Sequence, residues 1–350
     1  MNTNFLFVGT YTQTLDHVDG QADGIYCCEL SADGSLSIGQ TITGIENPSY
    51  LTLSSNKKFL YAVQEGTNLT DSLVFAYAVN EQTGQLTFLN SERTEGVTPC
   101  HLYVDAANRY LFVANYAGGN IIVYPLAENG RIQPPTDNIQ HQGQGTHRKR
   151  QEAAHAHMVL FSPDNQYLLV ADLGIDAVLI YKFDPDNGKL HLQQQVTAVN
   201  PGAGPRHMAF HPNGRILFVC NELDNTITSF TFENGSLTPI QTVSTLPKGW
   251  TDHAGCGAIR VGENGRFVYV SNRGPDNIAT FQYDEESNQL ALSTHTPTQG
   301  KTPRDFILLN NTMLVANQDS NTVVHFHLES GVPKLSGTVS QIPTPVCLAR

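Results

Sequence analysis

No stretch of this chain comes near the roughly eighteen consecutive apolar residues of a membrane-spanning helix. Its first apolar run, FLFVG, is too short and too poorly flanked for a signal peptide, so a cytoplasmic protein without a membrane partner is the expectation. Also missing are a GxSxG elbow, an HExxH pair, a P-loop and a dinucleotide fingerprint, which leaves serine-hydrolase, zincin, ATPase and Rossmann chemistry unsupported. Basic residues are scarce: 20 Lys and Arg stand against 32 Asp and Glu, a net charge of −12. That balance argues against nucleic acid as a partner while leaving room for a local basic site that takes an anionic metabolite. Cys27, Cys28, Cys100, Cys220, Cys256 and Cys347 lie inside strand-like runs and lack CxxC or CxxH spacing, so buried reduced thiols are expected in place of a zinc site.

What the chain has in abundance is one repeated unit. NPSYLTLSSNKKFLYAVQE, TPCHLYVDAANRYLFVANY, HAHMVLFSPDNQYLLVADL, GPRHMAFHPNGRILFVCNE, CGAIRVGENGRFVYVSNR and TPRDFILLNNTMLVANQ each read as strand, turn and second strand. Pro48, Pro99, His155, Pro205, Cys256, Pro303 and Pro345 occupy equivalent positions, a period of roughly fifty residues that marks a β-propeller. Alternating runs such as AVLIYKFDPDNGKLHL and NTITSFTFENGSLTPI follow each pair and supply third and fourth antiparallel strands. The chain begins in mid-unit with NFLFVGTYT and ends with TPVCLAR, which matches a first strand. The expected fold is therefore all-β: a seven-bladed β-propeller of four-stranded antiparallel blades, the C-terminal strand completing the N-terminal blade. The repeat spans residues 1–350 without a linker, which reads as one domain. The WD dipeptide of interaction propellers is absent, and Gly118-Gly119 is too little for kelch. A closed ring exposes no obligatory interface, so a monomer or weak homo-oligomer is expected.

In such a ring the starts of first strands and the ends of second strands meet on one face. Starts carry Ser49-Tyr50, Cys100-His101, Ala156-His157, Arg206-His207, Gly257-Ala258 and Arg304-Asp305; ends carry Tyr11, Glu65, Tyr116, Leu173, Glu222, Arg273 and Gln318. His157, Arg206, Glu222 and Arg273 come from three consecutive blades and are expected to cluster. One acid/base histidine, one carboxylate and two guanidiniums suit a carboxylated or phosphorylated substrate; taken singly, each of these charges equally suits a wet channel lining. Two longer connections should overhang this face. One carries His147, Arg148, Lys149 and Arg150, either a solvated basic run or a phosphate-capturing one; the other carries Lys248, Trp250 and His253. The first-blade insertion TQTLDHVDGQADG belongs to the same face. Asn115, Asp172, Asn221 and Asn272 also sit at strand ends, where they would serve as calcium ligands or as turn formers.

The segment GAGPRHMAFHPNGRILFVCNE, with the HxH-plus-SPD run at His155 to Asp164, resembles the propeller lactonase family that includes bacterial 6-phosphogluconolactonase and the fungal 3-carboxy-cis,cis-muconate lactonizing enzyme. The resemblance extends through the blade period over the whole chain. It implies lactone hydrolysis without a cofactor or metal, on an anionic sugar lactone, with carboxymuconate cycloisomerisation and a non-catalytic binding propeller as the alternatives. It further implies a site of one histidine, two arginines and one glutamate: Arg206 and Glu222 within one blade, His157 with His155 competing, and Arg273 with Arg304 able to take its role. His207, Arg148, Lys149 and Arg150 join His155 and Arg304 as expected substrate contacts. In the implied mechanism Glu222, or His157 oriented by it, takes a proton from water, Arg206 holds the oxyanion, and Arg273 with Lys149 or Arg150 holds the phosphate.

Overall fold

The computed structural model describes residues 5–197 and 200–350. Seven four-stranded antiparallel sheets form the ring, and a two-stranded hairpin, Thr14–Leu15 with Val18–Asp19, rises from the first. That hairpin is the first-blade insertion. Within each blade the innermost strand is the first of the repeat, as in Ala156–Phe161, Tyr167–Asp172, Ala177–Asp184 and Lys189–Thr197 of the fourth blade.

The blades cohere because alternate residues of each strand face the neighbouring sheet, and those residues are the apolar ones. Between the third and fourth blades Phe112, Phe161 and Phe183 meet edge to face at 5.0, 5.1 and 5.6 Å, an arrangement their ring quadrupoles favour. A polar latch recurs beside this packing. Asn115, Asn272 and Asn317, each at or one residue before the end of a second strand, donate to the carbonyls of Thr94, Thr245 and Thr298 at the end of the preceding blade.

The ring closes as the repeat requires. Pro345–Ala349 pairs with Phe5–Thr10, placing Leu348 opposite Val8 and Cys347 opposite Gly9. Leu348 packs with Leu6, Val8 and Leu314, while Cys347 packs on the other side with Phe7 and Leu60. Asp305 of the seventh blade accepts the Leu348 N–H at 2.9 Å and a bond from Arg260 of the sixth at 2.7 Å.

One strand departs from the sequence reading. The run NIIVYPLAENGRI reads as third and fourth strands followed by a connection from about Ile132 to Ala154, yet the fourth strand of the third blade is Asp137–Gln140, inside that connection, and Ile132 makes only an isolated bridge to Leu126. Pro134 and Pro135 explain the shift, because neither has an N–H to give to a ladder.

A second feature is invisible to the repeat pattern and controls the site. First strands slip register against second strands near their start: just after the opening residue between Pro99 and His101, Ala156 and Met158, Pro205 and His207, Pro303 and Asp305, and one residue later between Cys256 and Ile259. Each slip is a β-bulge that frees the extra residue from pairing and re-aims its side chain. The bulged residues include Cys100, His157, Arg206 and Arg304.

Leu348→Ala should destabilise the protein by about 2–5 kcal/mol, the cost of truncating a buried leucine, read as a lower denaturant midpoint. A loss below 1 kcal/mol would show that the closing strand carries little of the ring's stability.

Candidate active site

The bulged residues and the second-strand ends meet at one mouth of the channel, around a cavity of about 660 Å³, a size that accommodates a small metabolite. His157, Arg206, Glu222, Arg273, Arg150 and Arg304 all line it, and the hairpin residues Thr14 to His17 overhang its rim.

Glu222 is the hub. Its Oε2 accepts from Arg206 Nε at 2.8 Å and faces Arg273 Nη2 at 2.9 Å, while Oε1 accepts from Arg150 Nη2 at 2.8 Å. Each guanidinium is tied a second time: Arg206 to the Gly257 carbonyl, Arg273 to the Cys256 carbonyl and Arg150 to the Tyr116 hydroxyl. Burial alone would raise the Glu222 pKa, but Arg273, Arg206 and Arg150 outweigh it and hold the carboxyl well below its ordinary 4.5. Burial, with Arg206 and Arg304 nearby, pulls Arg273 down to about 10 in spite of Glu222. It remains charged at neutral pH.

Arg304 stands on the opposite side. It donates to the Tyr11 hydroxyl at 2.9 Å and lies against the Tyr11 ring, its other partner being Gln318. Tyr11 in turn donates to both Glu65 oxygens at 3.0 and 2.9 Å. Burial raises the Glu65 pKa, with Arg304 opposing. At the rim, partial burial and the field of Arg304, Arg273 and Arg150 lower His17 to about 4. In a chain of net charge −12, this cavity gathers four guanidiniums against two buried carboxylates and the exposed Asp16 at its rim, a local excess of positive charge.

His157 is buried, with its ring edge toward Tyr116 and His207 at 5.6 and 5.4 Å. Burial first, and then Arg206, push its pKa well below the ordinary 6.5, so the imidazole is neutral at physiological pH. It makes no hydrogen bond to Glu222, whose oxygens the arginines occupy; the implied His157–Glu222 pair is therefore not a bonded dyad.

Other expected contacts fall elsewhere. His155 is no competitor: it stacks on Tyr116 at 4.5 Å, and its ring nitrogens go to the Tyr116 carbonyl and Glu152. Arg148 and Lys149 are exposed and do not line the cavity. Lys248 and His253 are likewise exposed, and the Trp250 indole donates to the Asp252 carbonyl. His207 lies one layer down the channel, against Tyr50 and His101. The Asn and Asp offered as calcium ligands are taken up in structure: Asp172 by His141 and the N–H groups of His155, Gly174 and Ile175, Asn221 by Thr226 and Thr228, Asn272 by Asn277. Among the described residues no three His, Cys, Asp or Glu side chains form a metal-holding group. Tyr11, Glu65 and Tyr116 stand in the strand-end set read from the sequence, which gave them no role. His17 carried no signal beyond its place in the insertion.

Burial of His101, His157 and His207 as neutral rings has a consequence for stability. Each folded pKa lies below the unfolded 6.5, so the unfolded chain binds more protons in acid and stability rises with pH. The contribution is complete above about pH 6.5 and drains away below it, at up to about 1.4 kcal/mol per pH unit for each ring. Denaturant titrations at pH 7.5 and 5.5 should show a steep loss that His207→Asn reduces; equal stabilities would mean the rings are not held neutral.

The sequence and the fold agree with what comparison finds. A model of the lactonase, 7-bladed beta-propeller family matches residues 5–349. The chain is 36% identical to 6-phosphogluconolactonase of Bacillus subtilis strain 168, over 98% of this chain and 97% of that protein. It is 32% identical to a 6-phosphogluconolactonase of Formosa agariphila, over 94% of each. Among solved structures, the Pseudomonas aeruginosa periplasmic gluconolactonase superposes with a TM-score of 0.89 at 31% identity, covering 98% of both chains. This chain belongs to the lactonase family of seven-bladed β-propellers.

Proposed function

We propose that this protein hydrolyses 6-phospho-glucono-1,5-lactone to 6-phosphogluconate. The observation that carries the reading is the excess of guanidinium charge around a neutral histidine, in a cavity of sugar-phosphate size and a fold whose relatives are named for this reaction. Arg304 is the natural phosphate ligand, because its hydrogen-bond partners Tyr11 and Gln318 are both neutral and no carboxylate bonds it directly, Glu65 reaching it only through Tyr11. This moves the phosphate from Arg273 to the other side of the cavity. Arg206, held rigid by Glu222 and the Gly257 carbonyl, retains N–H groups for the lactone carbonyl.

His157 is the base. Its Nδ1 is sealed in the protein without a partner, which leaves Nε2 for the open cavity. Nε2 takes a proton from water while the water oxygen bonds to the lactone carbonyl carbon, and the carbonyl electrons move onto the oxygen facing Arg206. When the ring C–O bond breaks, those electrons return, and the departing ring oxygen takes the proton back from the imidazolium. Water is consumed and the open-chain acid is released. Glu222 is too firmly ionised and too fully bonded to be that base; its part is to hold three arginines in place. A phosphate dianion offsets the arginine field that adds to burial in depressing His157, so the charged substrate strengthens its own base.

We place the reaction in the cytoplasm, in keeping with six free cysteines and a substrate too charged to cross a membrane unaided. With chelator present, the wild type should hydrolyse fresh 6-phosphogluconolactone well above the spontaneous rate. Arg304→Gln should lower kcat/KM for that lactone by roughly 10- to 100-fold, the worth of a charged hydrogen bond, and leave glucono-1,5-lactone within about threefold. No acceleration by the wild type would overturn the reading.

A further inference from the structure

Beneath the main cavity, inside the channel, lies a separate pocket of about 20 Å³. A single water fits such a volume, provided it finds two to four polar partners. Three buried polar atoms without a well-formed protein hydrogen bond belong to residues that line it: His157 Nδ1, His207 Nδ1 and Ser49 Oγ, the last lying close to the Glu65 carboxylate. Ser49, His157 and His207 are 5%, 7% and 3% exposed, so bulk solvent does not satisfy them. Leaving such groups unpaired in a dry interior would cost about 1–3 kcal/mol each. Glu65, which also lines the pocket, adds a carboxylate acceptor that is bonded by Tyr11 and approached by Ser49.

We propose that this pocket binds one ordered water that accepts hydrogen bonds from His157 Nδ1–H and the Ser49 hydroxyl and donates its own two to Glu65 and His207 Nδ1, fixing the tautomer in which Nε2 faces the substrate. Water-bridged bonds of this kind are nearly as strong as direct ones. The arrangement supplies the carboxylate partner that Glu222 does not provide. When Nε2 gains a proton, the imidazolium is supported through the water by Glu65, as the buried carboxylate of a hydrolytic triad supports its histidine directly. Glu65, Ser49 and His207 are thus positioning residues that act through His157 and touch no substrate. Among the described residues no other charged or titratable group acting on His157 can do this: Arg206 and Arg304 repel its charged form, His101 is neutral, and Glu222 is engaged. The reading of His157 as the base is the part of the proposed function on which this rests.

Two measurements test it without reference to turnover. A crystal structure at a resolution that shows ordered waters should place one within hydrogen-bond distance of Ser49 Oγ, His157 Nδ1 and His207 Nδ1; a dry pocket overturns the proposal. Nitrogen-15 NMR should find His157 protonated on Nδ1 in the wild type and shifted toward the other tautomer in Ser49→Val, whose methyls fill the pocket, and in Glu65→Gln. A tautomer unchanged in both folded variants overturns it. In a wild type that hydrolyses the lactone, both variants should lose kcat by roughly tenfold or more with KM held; a change in KM alone would assign Glu65 and Ser49 to substrate binding and overturn the positioning role. A wild type without lactonase activity would sink the functional reading, while the water and the tautomer would still decide this one.

Discussion

One buried carboxylate holds the site together. Glu222 binds guanidiniums from the sixth blade, from its own fifth blade and from the loop between the third and fourth. Three such charges brought within reach of one another repel, and the desolvation of each adds to the cost. A single carboxylate makes their convergence affordable without cancelling it. What remains is a fixed positive field in a partly dry cavity, arranged before any substrate arrives, which is the form in which electrostatics contribute most to acyl transfer. The same field adds to the burial that keeps His157 neutral.

The propeller supplies the geometry by repetition. In blade after blade the second residue of the innermost strand is bulged out of register, and each ring position is then free to carry a different side chain. Cys100, His157, Arg206 and Arg304 occupy four of these equivalent places. The bulge costs ladder hydrogen bonds, yet the strand on either side stays fully packed, so chemistry is altered at one position without disturbing the cores between blades.

This explains which parts of the molecule could be read from residues alone. The period and the apolar alternation report the burial that builds the blades, so blade number and ring closure were legible, and Arg206 and Glu222 with them because one blade contains both. His155 and His157 could not be separated by alternation, which places residues two apart on one side of a strand; the strand starts after His155 and is bulged at His157. The basic run, open between a solvated and a phosphate-capturing reading, could not be divided for a related reason. Residues 147 to 151 close a single turn through bonds from Arg150 and Gln151 to the His147 carbonyl, and a turn shows only one of its side chains to a given neighbour. Arg150 faces Glu222, while Arg148 and Lys149 face water. Glu65 and Tyr11 gain their importance from contacts across 54 residues of chain, which no local pattern encodes.

The claim at the centre is that Glu222 acts by holding arginines and not by moving protons. Glu222→Gln keeps the shape but weakens all three bonds. Calorimetric binding of 6-phosphogluconate, set beside the hydrolysis rate over pH 5 to 9, separates the two roles. The account predicts that Glu222→Gln binds the product through Arg304, loses most of its rate, and keeps the wild-type shape of pH dependence. A variant that bound product normally but lost an ionisation from its pH profile would identify Glu222 as the base and contradict it.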